Sequence, residues 1–493
     1  MRNSHAELLV LAMDIGSSST RTALFNHKAR QLPETGAHVE YSLRYTSDGG
    51  AELAPLILRR AVERCLAETL RQHRASPSLR KIPIAAIGGS SLWHALLGLD
   101  RHLRPITPIF TWADSRATND AAELREKLSE REVQARTGCM LRATFWPAKL
   151  LWLRRTQAKL FRQVSMWASP VDWIFRELFG ATGSSASMAS ATGLYNLKLR
   201  NWDNALCEIC RVGPKQLPPI VNVVTPTRSH SHALTHARLF AAIGDGAAGN
   251  LGSGADRQGI IAINMGTSAA VRMMQTNHQA ARTKVPFGLF RYVVDAQRSV
   301  MGGAVSNAGN LRIWCLRDLR LKETEADRAL LRSQAAIDSL TVLPFWVRER
   351  APTWPEQQLG AIDGLNQATR ATDILRAATT AVFYRLAQIF DLVEGATVHA
   401  RRIIVSGGIL HSIAAIKLLA DAIGRDVELA REAEASLRGA AVHALRQMGS
   451  EVKVESAGRT VKCQRALAAK HRERRQRQID LEKVLTSHAQ SRA

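Results

Sequence analysis

Three features of the sequence predict a two-domain α/β fold. The chain has 493 residues, too many for one ordinary hydrophobic core. Strand-like apolar runs alternate with amphipathic helical ones along most of it. One local pattern also occurs twice. "ELLVLAMDIGSSSTRTALF" near the start and "GIIAINMGTSAAVRMMQ" near the middle each read as strand, small polar turn, strand. Asp14-x-Gly16-Ser17-Ser18 lines up with Asn264-x-Gly266-Thr267-Ser268, 250 positions later. A single repeat at half the chain length argues for two similar domains rather than a solenoid.

The intervening elements follow from their periodicity. "PLILRRAVERCLAETLRQH" has helical apolar spacing, and "IAAIGGSS" reads as a strand ending in a turn. "TDILRAATTAVFYRLAQIFDLV" is a strong amphipathic helix. "RRIIVSGG" runs from strand into turn, "SIAAIKLLADAIG" is a helix closed by Gly424, and "EASLRGAAVHALRQMG" is a further helix. The expected units are 8–256, 257–448 and a basic tail over 449–493.

Composition narrows the class. No apolar run approaches the roughly 20 residues that span a bilayer, which argues against a membrane protein. The first apolar run reads as a strand rather than a secretory signal. Six scattered cysteines make no disulfide framework, which points to a reducing, cytoplasmic setting. The net charge of +24 attracts anions of any kind. Part of it lies in "AAKHRERRQRQIDLEKVL", read as a solvated basic helix. No zinc-finger spacing or aromatic interleaving accompanies it to favour nucleic acid.

Loops of Gly, Ser and Thr between strands let backbone N–H groups converge on an anion. Two such loops, one per domain, suggest a phosphate chain clamped between them. Asp14, at the mouth of the first, is placed to hold Mg²⁺ directly or through water. No Walker-type GxxxxGK[ST] is present. "GDGAAG" (244–249) has the GxGxxG form, but "NLGSGADRQ" is too short for the helix a dinucleotide site needs, and the next strand ends in Asn264 rather than an acid. What remains is Asp245, flanked by small residues just upstream of the second loop. That is the place for a base taking a proton from a hydroxyl that attacks a γ-phosphate. Cys207-Glu-Ile-Cys210 lacks a second pair for zinc, and "SHSHALTH" (229–236) reads as a polar surface loop.

Together these segments resemble the FGGY carbohydrate kinases of the actin-like ATPase superfamily, over about 8–448. "DIGSSSTR", "NMGTSAAV" and "SGGILHSIAAIKLLAD" carry the likeness. "TWADSRA", "SMASATGLYNLKLRNWD", "DGAAGNLG", "GGAVSNAG" and "ERAPTW" resemble the gluconokinase branch. The resemblance implies two ribonuclease-H-like domains closing over ATP and a sugar, with Asp245 as catalytic base. It implies that Gly16, Ser17, Ser18, Ser19 and Arg21, with Gly266 and Thr267, lie at the ATP phosphates. Gly407, Gly408 and Ser412 would form the adenosine loop. Trp93 and His94 match the family's Met-His pair at the sugar, and Trp112, Asp114 and Arg116 its Trp-x-Asp-x-Arg motif. Four departures stand out: Arg348 where Gly is usual, Ala415 for Trp, Gly244 for Ser, and Arg21 for Lys.

The expected activity is ATP- and Mg²⁺-dependent phosphorylation of a sugar or sugar acid, with gluconate foremost and xylulose or another polyol as the alternative. Arg116 and His94, with Lys149 a weaker candidate, are the expected partners of a gluconate carboxylate. A non-enzymatic actin-like ATPase would not need Asp245 or the Trp-His pair. A nucleic-acid-binding protein would depend on the tail. A homodimer is left open.

Overall fold

The computed structural model describes residues 8–221, 223–224, 232–331, 340–431, 434–454 and 458–490. Positions 229–231 of the histidine-rich loop lie outside them.

Each half is built on a seven-stranded mixed sheet. In the first, Leu9–Ile15 and Ser19–Phe25 form an antiparallel hairpin, Gln31–Glu40 extends it, and Ile84–Ser91 pairs parallel on the other side. In the second, Ile260–Met265 and Ala269–Thr276 form the hairpin, Arg298–Val305 extends it, and Arg402–Ser406 pairs parallel. The repeat seen in sequence is therefore a repeat of topology. It reaches side chains outside the aligned pattern. Asp14 stands beside Ser90 in the parallel register and Asn264 beside Ser406. In both pairs the side chains hydrogen-bond: Ser90 Oγ donates to Asp14 Oδ1, and Asn264 Nδ2 donates to Ser406 Oγ at 3.0 Å.

The helices form where periodicity placed them: Pro55–Ala75, Ala371–Ala396, Ile413–Ile423 and Ala435–Gln447. Gly424 closes the third with φ 76°, a left-handed conformation that glycine adopts at little cost. Among the described residues no helix is long and apolar enough to cross a membrane.

Three features differ from the expectations. First, the small-residue segment around Asp245, read as a loop, opens a helix: Asp245–Ser253, with Gly244 at its N-cap and Gly254 closing it, so that only the first four residues of "NLGSGADRQ" are helical. Its glycines serve close packing rather than a phosphate turn. A Cβ on Gly252 would meet the Ala435 carbonyl oxygen at 1.8 Å, and one on Gly439 the Ala248 carbonyl oxygen at 1.8 Å. Contact between two helix backbones thus outweighs the poor helix propensity of glycine. The dinucleotide reading still fails, because Gly246 and Gly249, two of the three fingerprint glycines, lie inside the helix rather than in a turn before it.

Second, Ala435–Gln447 packs on the first sheet, its Leu437, Ala440, Ala441 and Leu445 joining the cluster around Val10, Leu11 and Ile87. Third, the chain beyond 448 is not an appendage. Thr460–Val461 adds a strand to the second sheet, antiparallel to Val427–Leu429. Helix Arg465–Gln490 then docks on Ala371–Ala396. Gln478 Nε2 donates to Val342 O at 2.8 Å and Ala381 O at 3.1 Å. Tyr384 and His471 hydrogen-bond at 2.9 Å. The charged residues of this helix are solvated on one face only.

Candidate active site

Two chambers meet between the halves. The outer cleft spans about 2100 Å³, including the solvent open to it, and is lined by both glycine-serine loops, through Ser17, Ser18, Gly266, Thr267 and Ser268. The inner pocket is smaller, about 670 Å³ including the solvent open to it, and its wall includes Trp93, His94, Phe145, Tyr292 and Trp354. Asp245, Asn264 and Ser268 border both. Asp245 therefore stands at the junction, within reach of a ligand in either chamber.

Asp245 sits in the first turn of its helix, and its Oδ1 accepts from Gly246 N at 2.7 Å. Burial pushes its carboxyl up to about 6; Arg272 opposes that shift and Asp14 adds to it. A carboxylate titrating near there is ionised at neutral pH yet basic enough to accept a proton in a transition state.

The loops are alike in construction. Gly16 N donates to Ser19 O, and Gly266 N to Ser268 O, both at 2.9 Å. Helix Gly309–Asp318 begins against the second loop, where Gly309 N donates to Gly266 O at 3.0 Å. A Cβ on Gly309 would come within 2.5 Å of that oxygen. Gly407, with φ 89°, lies over Met265, whose carbonyl oxygen a Cβ would approach to 2.6 Å. This brings the loop expected to hold adenosine against the loop of Gly266 and Thr267. Gly408 is exposed. Ser412 caps Ile413–Ile423, accepting from Ala415 N at 3.2 Å and donating to Asp327 at 2.8 Å. Arg21 pairs with Glu434 at 2.9 Å, so its charge is engaged.

Asp14 is buried, and its second oxygen accepts from Ser436 Oγ at 2.7 Å. Among the described residues no group of three or more His, Cys, Asp or Glu could hold a metal. A kinase Mg²⁺ needs only one or two carboxylates, the rest of its shell being water and phosphate oxygens. Asp14 retains lone pairs beyond those engaged by the serines, so its chemistry fits.

On the sugar side, Trp93 Nε1 donates to Ser187 O at 3.2 Å. His94 has φ 66° and its Nδ1 lies 2.7 Å from Ala191 O. Burial lowers His94 to about 3, so the ring is neutral. Since a carbonyl only accepts, Nδ1 carries the proton and Nε2 is an acceptor. Trp112 lines both chambers.

Arg116 corrects the sequence reading: it is absent from the lining of either chamber. Its guanidinium pairs with Glu52 at 2.7 Å and Asp114 at 2.5 Å, and it lies 4.5 Å from the Trp152 ring centroid. Asp114 is correspondingly spent on Arg116 and on Ala51 N, though it borders the outer cleft. Lys149 is buried and donates to His94 O at 3.0 Å and Thr111 O at 2.7 Å, with its ammonium lowered to about 7 by burial. It braces the backbone behind the pocket.

The cations of the inner pocket are Arg272 and Arg350, which sequence reasoning missed as ligands. Arg272 lies on the strand leaving the second loop, its guanidinium so close to Gly246 that a Cβ there would be 2.8 Å from Cζ. Its buried Nε has no hydrogen-bond partner. Among the described residues no carboxylate lies within ion-pair distance of it. Arg350 donates to Ser306 Oγ and Val305 O, each at 3.1 Å, and stacks 4.5 Å from the Trp112 centroid. Burial lowers it to about 10. The available signal was an arginine in the apolar "SAAVRMM" strand, where an unpaired charge has no structural reason to be buried.

A two-domain α/β fold with a glycine-serine loop on each hairpin and a carboxylate at the junction of a larger and a smaller chamber defines a phosphotransferase acting on small molecules. The chain belongs to the FGGY family of carbohydrate kinases: the family's N-terminal domain matches residues 9–249 and its C-terminal domain 261–448. It is thus an ATP-dependent carbohydrate kinase. It is 28% identical to the gluconokinase of Bacillus subtilis (strain 168) over 464 residues, covering 89% of this chain and 88% of the relative. Crystal structures of a gluconate kinase and of a ligand-bound xylulose kinase, both from Lactobacillus acidophilus, each superpose with TM-score 0.87 at 22% identity. Each covers 99% of this chain and 100% of its own. The fold does not choose between their substrates.

Proposed function

We propose that this kinase phosphorylates gluconate, giving 6-phosphogluconate, with Asp245 as general base. The observation that carries the substrate is the pair of guanidinium groups in the inner pocket, one of them with no carboxylate within ion-pair distance among the described residues. The Arg272 charge is opposed through space by Asp245, the group that takes the proton, and a sugar acid supplies a carboxylate that stays ionised throughout. The likeness to a gluconokinase points the same way.

ATP enters the outer cleft with its phosphates on the backbone N–H groups of the two loops. The sugar acid fills the inner pocket, where neutral His94 accepts from a hydroxyl and the aromatic walls exclude water. The attacking hydroxyl faces the junction. As its oxygen bonds to the γ-phosphorus and the bond to the ADP oxygen breaks, its proton passes to Asp245. Bound Mg²⁺, held by Asp14 through water, would neutralise charge on the phosphates. Arg272 near Asp245 keeps the base from titrating still higher.

A coupled ADP-release screen across gluconate, xylulose, glycerol and related polyols tests the assignment. Gluconate should give the highest kcat/KM; a neutral substrate in first place would move the enzyme to another branch of the family.

A further inference from the structure

The inner-pocket wall formed by residues 349–354 is held from both sides by buried carboxylates. On the cleft side, Glu349 accepts from Ser306 N at 2.5 Å, Asn307 Nδ2 at 2.9 Å and Arg350 N at 2.8 Å. On the far side stands Glu482 of the C-terminal helix, 6% exposed. Its Oε2 accepts from Arg385 Nη1 at 2.7 Å and its Oε1 from Thr353 Oγ1. Arg385 is fully buried and donates from Nη2 to Ala351 O at 3.1 Å and Thr353 Oγ1 at 2.9 Å. Four residues further along the helix, Thr486 donates to Gln358 at 3.0 Å. Arg350 and Trp354, the two members of this segment that line the inner pocket, flank the tethered Ala351 and Thr353.

We infer that the C-terminal helix is part of the sugar-binding apparatus, with Glu482 a positioning residue that, through Arg385 and Thr353, fixes the wall carrying Arg350 and Trp354. The family match ends at residue 448, so this support lies wholly beyond it. A buried ion pair adds little net stability compared with apolar residues of the same shape, because desolvating both charges offsets their attraction. Its contribution here is directional. Two polar contacts from Arg385 and one from Glu482 hold the Ala351 and Thr353 positions in one arrangement. A guanidinium that must meet a substrate group to within a few tenths of an ångström needs such backing.

The test is steady-state kinetics on the full-length chain with whichever sugar or sugar acid it turns over best, so the outcome does not depend on gluconate being that substrate. Glu482→Gln keeps the shape and avoids stranding Arg385 beside an apolar residue. A paired Arg385→Met/Glu482→Leu variant removes both charges while keeping the packing. In each, KM for the sugar should rise about tenfold, the loss expected when a charged hydrogen bond is misaligned, while KM for ATP stays within about twofold of wild type. Glu482→Gln should add little to the KM change when Arg350 is already Met, since coupled positions are non-additive. A purely structural helix would lower the melting temperature and the active fraction but leave the sugar KM unmoved. Unchanged sugar KM in the folded Glu482→Gln variant, equal rises in both KM values, or additivity with Arg350→Met would each overturn the inference.

Discussion

The indole of Trp93 occupies the space that a side chain at position 244 would need. A Cβ on Gly244 would come within 1.8 Å of Trp93 Cε2 and Nε1. The departure noted in sequence at Gly244, Gly for the usual Ser before the base, is thus matched by Trp93, which stands in the place of the Met of the Met-His pair. The larger ring presses the inner pocket's wall directly against the residue that leads into Asp245. It also meets Tyr292 edge-on, with centroids 4.9 Å apart.

Reintroducing Ser at position 244 should therefore be costly here. Gly244→Ser is expected to lower stability by about 1–3 kcal/mol through overpacking and to depress activity by displacing Trp93. Adding Trp93→Met should recover most of the loss, because the two residues compete for one volume. Thermal denaturation and kcat of the single and double variants check this; strict additivity would show that the residues do not compete.

Asp245 should set an acidic limb in the pH profile. Its carboxyl is raised to about 6, and only the ionised form accepts a proton. The kcat/KM should thus be level above that value and fall about tenfold per pH unit well below it. Asp245→Asn should retain ATP binding and lose a factor of about 10² to 10⁴ in kcat. A pH profile flat down to the limit of folding would remove Asp245 from that role.

Asp14 should matter to the metal more than to the sugar. Asp14→Asn preserves shape but weakens the negative charge at the first loop. Activity should then require a higher Mg²⁺ concentration, while the KM for the sugar changes little. An unaltered Mg²⁺ dependence would place the ion elsewhere. Asp14→Ala is the harsher variant, because it strands the half-buried hydroxyl of Ser436 and the buried one of Ser90, the latter at about 1–3 kcal/mol.

The hairpin repeat was legible because two strands around a short Gly/Ser turn make a local pattern that survives any packing. The Asp14–Ser90 and Asn264–Ser406 pairs were not, since parallel strands are brought together by distant chain. Helix Asp245–Ser253 was hidden by its glycines, one of which, Gly252, meets a partner helix nearly two hundred residues later. The sugar-side cations were confused for a related reason. Arg116 sits in a family motif, yet its charge is cancelled by Glu52, more than sixty residues earlier. Arg272, in the second strand of the repeat, has no carboxylate within ion-pair distance among the described residues. Sequence shows where a charge is, not which charges are already matched. The same limit made the tail read as a basic solvated helix, whereas its buried Gln478, Glu482 and His471 tie it to the second domain.

Whether Arg272 serves a sugar acid is the point on which the substrate assignment turns. The direct measurement is the ratio of kcat/KM for gluconate to that for xylulose, at matched ionic strength, in wild type and in Arg272→Met. Taking the ratio cancels any effect of Arg272 on the base, which acts on both substrates alike. The wild-type ratio should exceed one and fall at least about tenfold in the variant, as expected for losing a charge-assisted bond to the carboxylate; Arg116→Met should leave it unchanged. A wild type that prefers xylulose, or a ratio that does not move in folded Arg272→Met, would contradict the account.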